Sequence, residues 1–180
     1  MQSSWQNGGV HLTPASDDDL AVVAGQLSRT PRGVAGVAWR CPCGRPGVVA
    51  TAPRLPDGTP FPTVYYLTCP RAVAACSQLE AQGLMASMNE RLRVDAALRA
   101  GHEAAHRAYL ADRAALADAV GVDDVPRTGT SAGGLPDRVK CLHALVGHAL
   151  AAGPGVDPLG DEALAAIGQF WADPCGGEAS

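Results

Sequence analysis

Six cysteines and five histidines are the residues in this chain of 180 best suited to metal or redox chemistry. The cysteines are Cys41, Cys43, Cys69, Cys76, Cys141 and Cys175, and no C-x-x-C pair joins any two of them. Cys41 and Cys69 share a local design, since each ends a strand-like run and each is followed by proline. A sheet holds a thiolate at a strand end in place while the proline turns the chain away, so neighbouring strand ends can aim two sulfurs at one point. Cys141 falls in the first turn of an expected helix, where the dipole and unpaired amides favour thiolate over thiol.

Three thiolates with one open position make the donor set of a catalytic metal or a substrate-binding iron-sulfur cluster, whereas structural zinc is closed by four ligands. His148 is the fourth candidate. It lies on nearly the same helix face as Cys141, but about 10 Å along the axis at 1.5 Å per residue. His143, two positions on, falls about 200° around a helix and is set aside as a partner of that metal. The expected ligands are therefore Cys41, Cys69, Cys141 and His148, and the expected cofactor is an iron-sulfur cluster, zinc or none. Cys43 adds a C-x-C pair with Cys41. Two alternatives stay open: buried, inert cysteines, and a thiol nucleophile.

The loop from Gly129 to Gly134 precedes a helix whose expected first turns hold Arg138 and Lys140. Glycine amides at a helix start suit an anion, so Arg138, Gly133 and Gly134 are the expected substrate-binding residues. The spacing matches neither a Walker loop nor a dinucleotide fingerprint. Lys140, the single lysine, lies three residues from His143, and the two make an acid/base or anion-contacting pair. His102 and His106 sit at i, i+4, a spacing that can clip a metal or supply a general base. His102 also shares a face with Leu98, Ala105, Tyr109 and Leu116, which equally describes a half-buried core histidine. The expected catalytic residues are Lys140, His143 and His102.

The elements that must position these groups follow from punctuation and periodicity. Ser16 with Asp17, Asp18 and Asp19 marks a capped helix start, and Leu20, Val23, Ala24 and Leu27 give it an apolar face. Val34 to Arg40, Gly47 to Thr51 and Val64 to Leu67 read as three strands of a small sheet, with Cys41 at a hairpin tip. Helices are expected over 70–82, 84–92, 95–120, from Pro136 or Asp137 to about Ala152, and over roughly 161–172. The expected fold is α+β, a small antiparallel sheet near the N-terminus covered by a mostly helical remainder. Residues 1–13 are expected as a flexible lead-in, 14–172 as one domain and 173–180 as a disordered tail.

Composition narrows the function classes. Leu, Ile, Val and Phe make up 36 of 180 residues against 33 alanines, a core poor in large side chains that gains from a bound metal. Of 14 basic residues 13 are arginine, a bias that suits a GC-rich genome. The net charge of -4 argues against nucleic acid or an anionic membrane surface as partner. No run reaches the roughly 18 apolar residues of a membrane span, and the first residues lack the blocks of a secretory signal, so a cytoplasmic place is expected.

Several of these runs resemble a bacterial family, the domain of unknown function 501, in its high-GC branch. They are Arg40-Cys41-Pro42-x-Gly44, Phe61-Pro62-Thr63-x-Tyr65-x-Leu67-Thr68-Cys69-Pro70 and His102 with Tyr109. Val139-Lys140-Cys141-Leu142-His143-Ala144 with His148, Gly153-Pro154-Gly155 and Asp157-Pro158-Leu159-Gly160 complete the set. The resemblance covers about residues 25 to 172 and carries over Cys41, Cys69, Cys141, His143 and His148, while the position of Cys43 varies. It implies a cytoplasmic protein often encoded near a septum-formation initiator, enolase and an exopolyphosphatase, and no particular reaction.

Two functions are therefore expected. One is a metal or iron-sulfur enzyme acting on a small anionic or polar molecule beside the glycine loop. The other is a non-catalytic interaction module with core or zinc-bound cysteines, serving division or envelope machinery through an unidentified protein partner.

Overall fold

A computed structural model describes residues 5–7, 10–124, 129 and 131–172. Cys175 and the segment 173–180 lie outside the described residues. The α+β reading holds: a three-stranded antiparallel sheet lies near the N-terminus and helices supply most of the rest.

Strands β1 (Trp5–Asn7) and β2 (Val10–Leu12) pair as a hairpin within the segment read as a lead-in, and Thr13 exchanges two backbone hydrogen bonds with Val37. Helix α1 (Asp17–Leu27) opens with the expected capping box. The Ser16 hydroxyl accepts from the Asp19 amide at 3.1 Å, and the Asp19 carboxylate accepts from the Ser16 amide at 3.0 Å. That carboxylate also takes a two-pronged contact from Arg40, which ties α1 to the sheet and holds the Asp19 carboxyl well below the usual range.

In the sheet, β4 (Pro46–Thr51) is central and buried along its length, between β3 (Val34–Arg40) and β5 (Tyr65–Leu67). Because both flanking strands run antiparallel to β4, they run parallel to each other and end at the same edge. Cys41 and Cys69 follow those two ends, as expected, on either side of Gly47, whose carbonyl accepts from the amides of Thr68 and Cys69.

Three helices follow the spacing closely: α2 (Pro70–Ala81), α3 (Leu84–Val94) and α4 (Ala96–Val120), capped by the Asp95 carboxylate. Helix α6 (Pro158–Ile167) starts three residues earlier than read and stops sooner, because Asp157 caps it by accepting from the Gly160 amide at 2.9 Å. Among the described residues no helix is long and apolar enough to cross a membrane.

Helix α5 (Leu142–Ala152) is the packing centre, with Leu142, Leu145, Val146, Gly147, His148 and Ala149 buried. A β-carbon on Gly147 would stand 3.2 Å from the Tyr65 carbonyl oxygen, and one on Gly160 only 2.6 Å from that of Leu145. The two glycines let α5 press onto β5 on one side and receive α6 on the other. Inside, the Tyr109 hydroxyl accepts from the Val64 amide at 2.6 Å, and the Tyr65 hydroxyl donates to Asp112 at 2.9 Å. His148, with no exposed surface, lies stacked on Tyr65 and donates through Nδ1 to Asp157 at 3.1 Å.

The expected start of α5 at Pro136 or Asp137 is wrong, and the cause is tertiary. Asn89 of α3 donates through Nδ2 to the Val139 carbonyl (2.9 Å) and accepts from the Val139 amide (2.8 Å), substituting for a strand partner. The Lys140 amide meanwhile donates to the Gly133 carbonyl at 2.7 Å. The chain is therefore extended up to Cys141 (φ -153°, ψ 117°), and the helix begins one residue later.

Two outcomes follow. Asn89→Ala strands both main-chain groups of Val139 in a buried place and is expected to cost about 2–4 kcal/mol in a urea titration. A loss under about 1 kcal/mol would disprove the dependence. His102 has no exposed surface, and among the described residues neither ring nitrogen makes a well-formed hydrogen bond; burial holds its pKa below 6.5, with the Asp157 charge and a loose contact to the Arg138 backbone acting against that. Below about pH 6.5 the unfolded chain binds a proton that the folded one resists, so stability is full above that pH and declines beneath it. The expected slope is at most about 1.4 kcal/mol per pH unit for this group, and His102→Leu should remove it. An unchanged slope in the variant would refute the assignment.

Candidate functional site

The end of the segment 138–141, after a turn at 135–137, faces the last turn of α2, and there three side chains meet. Glu80, Cys141 and His143 each offer one ligand atom, and these atoms lie within 4.8 Å of one another. Cys141 Sγ is 3.7 Å from His143 Nδ1, which is 3.2 Å from Glu80 Oε1. The same Glu80 oxygen accepts from the Leu142 amide at 2.7 Å, so the carboxylate is pinned to the first amide of α5.

His143 is oriented from its far side. Its Nε2 lies 3.2 Å from the Val73 carbonyl oxygen and 3.3 Å from Ser77 Oγ, and the Ser77 hydroxyl itself donates to Val73. Both neighbours of Nε2 therefore act as acceptors, which assigns a proton to Nε2. In the neutral ring Nδ1 then presents a lone pair to a carboxylate oxygen and a sulfur. Such an arrangement needs a positive species among the three atoms, either a proton or a metal ion.

The titration behaviour agrees. Burial disfavours the Cys141 thiolate, but the His143 contact and the Ala144 amide outweigh it and hold the thiol below its ordinary value. The contact with Cys141 raises His143 to about 8, against its partial burial and helped by Glu80. Cys76, fully buried beside them, is pushed up to about 12 by burial and by the charges of Glu80 and Cys141, which leaves it a thiol.

Cys141 and His143 open onto a pocket of about 560 Å³ between α1, β5 and the start of α2. Its wall includes Gln26 and Leu27 of α1, Tyr65 and Leu67 of β5, Thr68, and Val73 and Ala74 of α2. Among the described residues no Asp, Glu, Lys or Arg lines it. Two of its wall residues also hold a polar atom that has no accessible surface and no hydrogen-bond partner among the described residues, Thr68 Oγ1 and Gln26 Oε1.

The other residues singled out from the sequence are placed as follows. Cys41 and Cys69 are buried in the core around the sheet edge and are not part of the Glu80 group; Cys43 is exposed at the hairpin tip. His148 is enclosed beside Asp157, Tyr65 and Tyr109, and His102 is enclosed nearby. His106 meets Ser131 at 3.0 Å. Arg138 and Lys140 precede α5 rather than sitting in its first turns, and neither they nor Gly133 and Gly134 line the pocket of Cys141.

His143 overturns the expectation of a wheel position far from Cys141. Cys141 is the extended residue that caps α5, so the 100° step does not apply across it, and its sulfur meets the His143 ring. Glu80 escaped sequence reasoning altogether: it lies 61 positions before Cys141, in an ordinary helix end, and only the packing of α2 on α5 joins them.

In metal-free protein the ultraviolet thiolate band lost in Cys141→Ser is expected to survive to lower pH than that of an ordinary thiol. His143→Ala is expected to move it upward. A band that titrates identically in both backgrounds would contradict the contact.

The family described as Protein of unknown function (DUF501) matches residues 37–165, a span that holds Glu80, Cys141 and His143 but not Gln26 and Leu27 of the pocket wall. No curated protein and no solved structure matches the chain.

Proposed function

We propose that the chain, which belongs to the family described as Protein of unknown function (DUF501), is a metal-dependent enzyme whose ion is held by Glu80, Cys141 and His143. The carrying observation is the convergence of Glu80, Cys141 and His143, with Nδ1 facing a carboxylate oxygen and a sulfur while Nε2 faces the Val73 carbonyl and the Ser77 hydroxyl. Zinc is the metal that suits this donor set best. A tetrahedral ion with bonds of about 2.3 Å to sulfur and about 2.1 Å to nitrogen and oxygen sets S···N at about 3.6 Å and N···O at about 3.4 Å. The distances in the protein are 3.7 and 3.2 Å.

The far-side contact of His143 with the Val73 carbonyl is the support that a ligating histidine ordinarily has. Iron-sulfur clusters are held mainly by thiolates, so a set of one thiolate, one imidazole and one carboxylate favours zinc over a cluster. Three protein ligands leave a fourth position toward the pocket, where zinc would polarise a carbonyl or a bound water. Glu80, tied to the Leu142 amide, and His143, tied to Val73, are held in place before any ion arrives.

A second reading has its own observation. The 3.7 Å contact of Cys141 with His143 is also the arrangement of a thiolate nucleophile beside its proton partner. Metal analysis separates the two. Chain purified and reloaded with zinc is expected to lose one equivalent in each of Cys141→Ser, His143→Ala and Glu80→Gln, with folding checked by circular dichroism. If zinc content is the same in all three variants while iodoacetamide labels Cys141 selectively, the nucleophile reading replaces the metal.

A further inference from the structure

The pocket onto which Cys141 and His143 open is polar where those two side chains meet it and apolar over most of the rest of its accessible wall. Thr68 Oγ1 and Gln26 Oε1 have no accessible surface, and Gln26 Nε2 donates to the Pro46 carbonyl at 2.9 Å, so these polar groups serve the protein interior. The Tyr66 hydroxyl accepts from Arg29 at 3.3 Å, which leaves its ring as wall. Among the described residues the partly exposed lining is then apolar, from Leu27, Tyr66, Pro70, Val73, Ala74 and Ala144. Apart from Thr63, polar surface is confined to the Cys141 thiol and the His143 ring.

Charge is excluded by the same wall. No Asp, Glu, Lys or Arg of the described residues lines it, so a charged group entering from water would lose hydration without meeting an opposite charge. The metal ligands add no net attraction for an anion, because one thiolate and one carboxylate balance a divalent ion. Arg138, Lys140, Gly133 and Gly134, from which an anionic substrate was expected, do not reach this space. Arg45 and Arg71 line an adjoining depression that shares Gln26, Pro70 and Ala74 with the pocket, and a ligand anionic at its far end would have to extend to them.

We propose that the substrate of this site is an uncharged molecule with an apolar body and a single polar group, the group that reacts. Its body lies against Leu27, Val73 and Ala144, and its polar group meets Cys141, His143 and the open position of the ion. This rests on the site assigned above and names the substrate class for it. A pocket of about 560 Å³ is of the size that receives a small molecule with a body of several carbons.

N-substituted maleimides probe the pocket whether or not an ion is bound, because they need only the Cys141 thiolate. The sulfur adds to the maleimide double bond, one C–S bond forms, and the neighbouring carbon takes a proton from solvent. The full chain, freed of metal and with folding checked by circular dichroism, would be treated with N-ethylmaleimide, N-hexylmaleimide and 6-maleimidohexanoate. Rates at Cys141 would be read by peptide mass mapping and divided by those of the urea-unfolded chain. The hexyl reagent is expected to react at least about tenfold faster than the ethyl one, the effect of burying part of four further methylene groups. The carboxylate reagent is expected to lose that advantage. Leu27→Asp and Ala74→Asp, which place a charge on the wall, are each expected to lower the hexyl-to-ethyl ratio at least about threefold, and the ratio cancels any change in the reactivity of the thiolate itself. A ratio near one, a faster reaction with the carboxylate reagent, or a ratio indifferent to both substitutions would overturn the substrate class. Zinc content of the Glu80, Cys141 and His143 variants decides the metal separately, so either reading can fail while the other stands.

Discussion

The molecule depends on one helix with almost no surface of its own. Helix α5 must press its backbone against β5 and receive α6 on its other side; an added carbon would crowd the Tyr65 carbonyl at Gly147 and has no room at Gly160. Close approach of this kind places α5 at a fixed depth and rotation, since packed interiors give little. Everything attached to its N-terminus inherits that precision, including the two residues that face Glu80.

Burying a helix start raises an electrostatic problem, because its first amides lack helical partners. The Glu80 carboxylate answers it at the Leu142 amide, and the same oxygen is thereby brought to His143. A structural need of α5 and the assembly of the site are thus met by one atom. The second constraint comes from Asn89, which holds Val139 extended and so keeps Cys141 out of the helix, where its sulfur can meet a side chain only two residues away. Had α5 started at Asp137, the same two residues would point apart.

The enclosed histidines belong to a different part of the design. His148 is held between Asp157 and the rings of Tyr65 and Tyr109, and His102 lies in the same interior with no well-formed hydrogen bond among the described residues. They fix how α4, α5 and α6 meet, and their burial keeps them from solvent. Polar residues of this type look like chemistry in a sequence because only packing tells an enclosed imidazole from an accessible one.

Local signals determined a good deal. The capping box at Ser16, the prolines after Cys41 and Cys69, the glycines ending helices and the strand-forming runs around Tyr65 follow from backbone preferences that act within a few residues, and they yielded the α+β class, the three strands and four helices nearly to their ends. Cys141 and His143 were also visible as chemical residues. Their relation was not, because it depends on whether Cys141 is helical, and that is decided by Asn89, 52 positions earlier. Glu80 was invisible for the same reason: a carboxylate at an exposed-looking helix end becomes a potential ligand only when another helix is packed against it. Short-range preferences specify the elements, whereas the site is made of contacts across more than 50 residues, and only the packing of α2, α3 and α5 could bring those together.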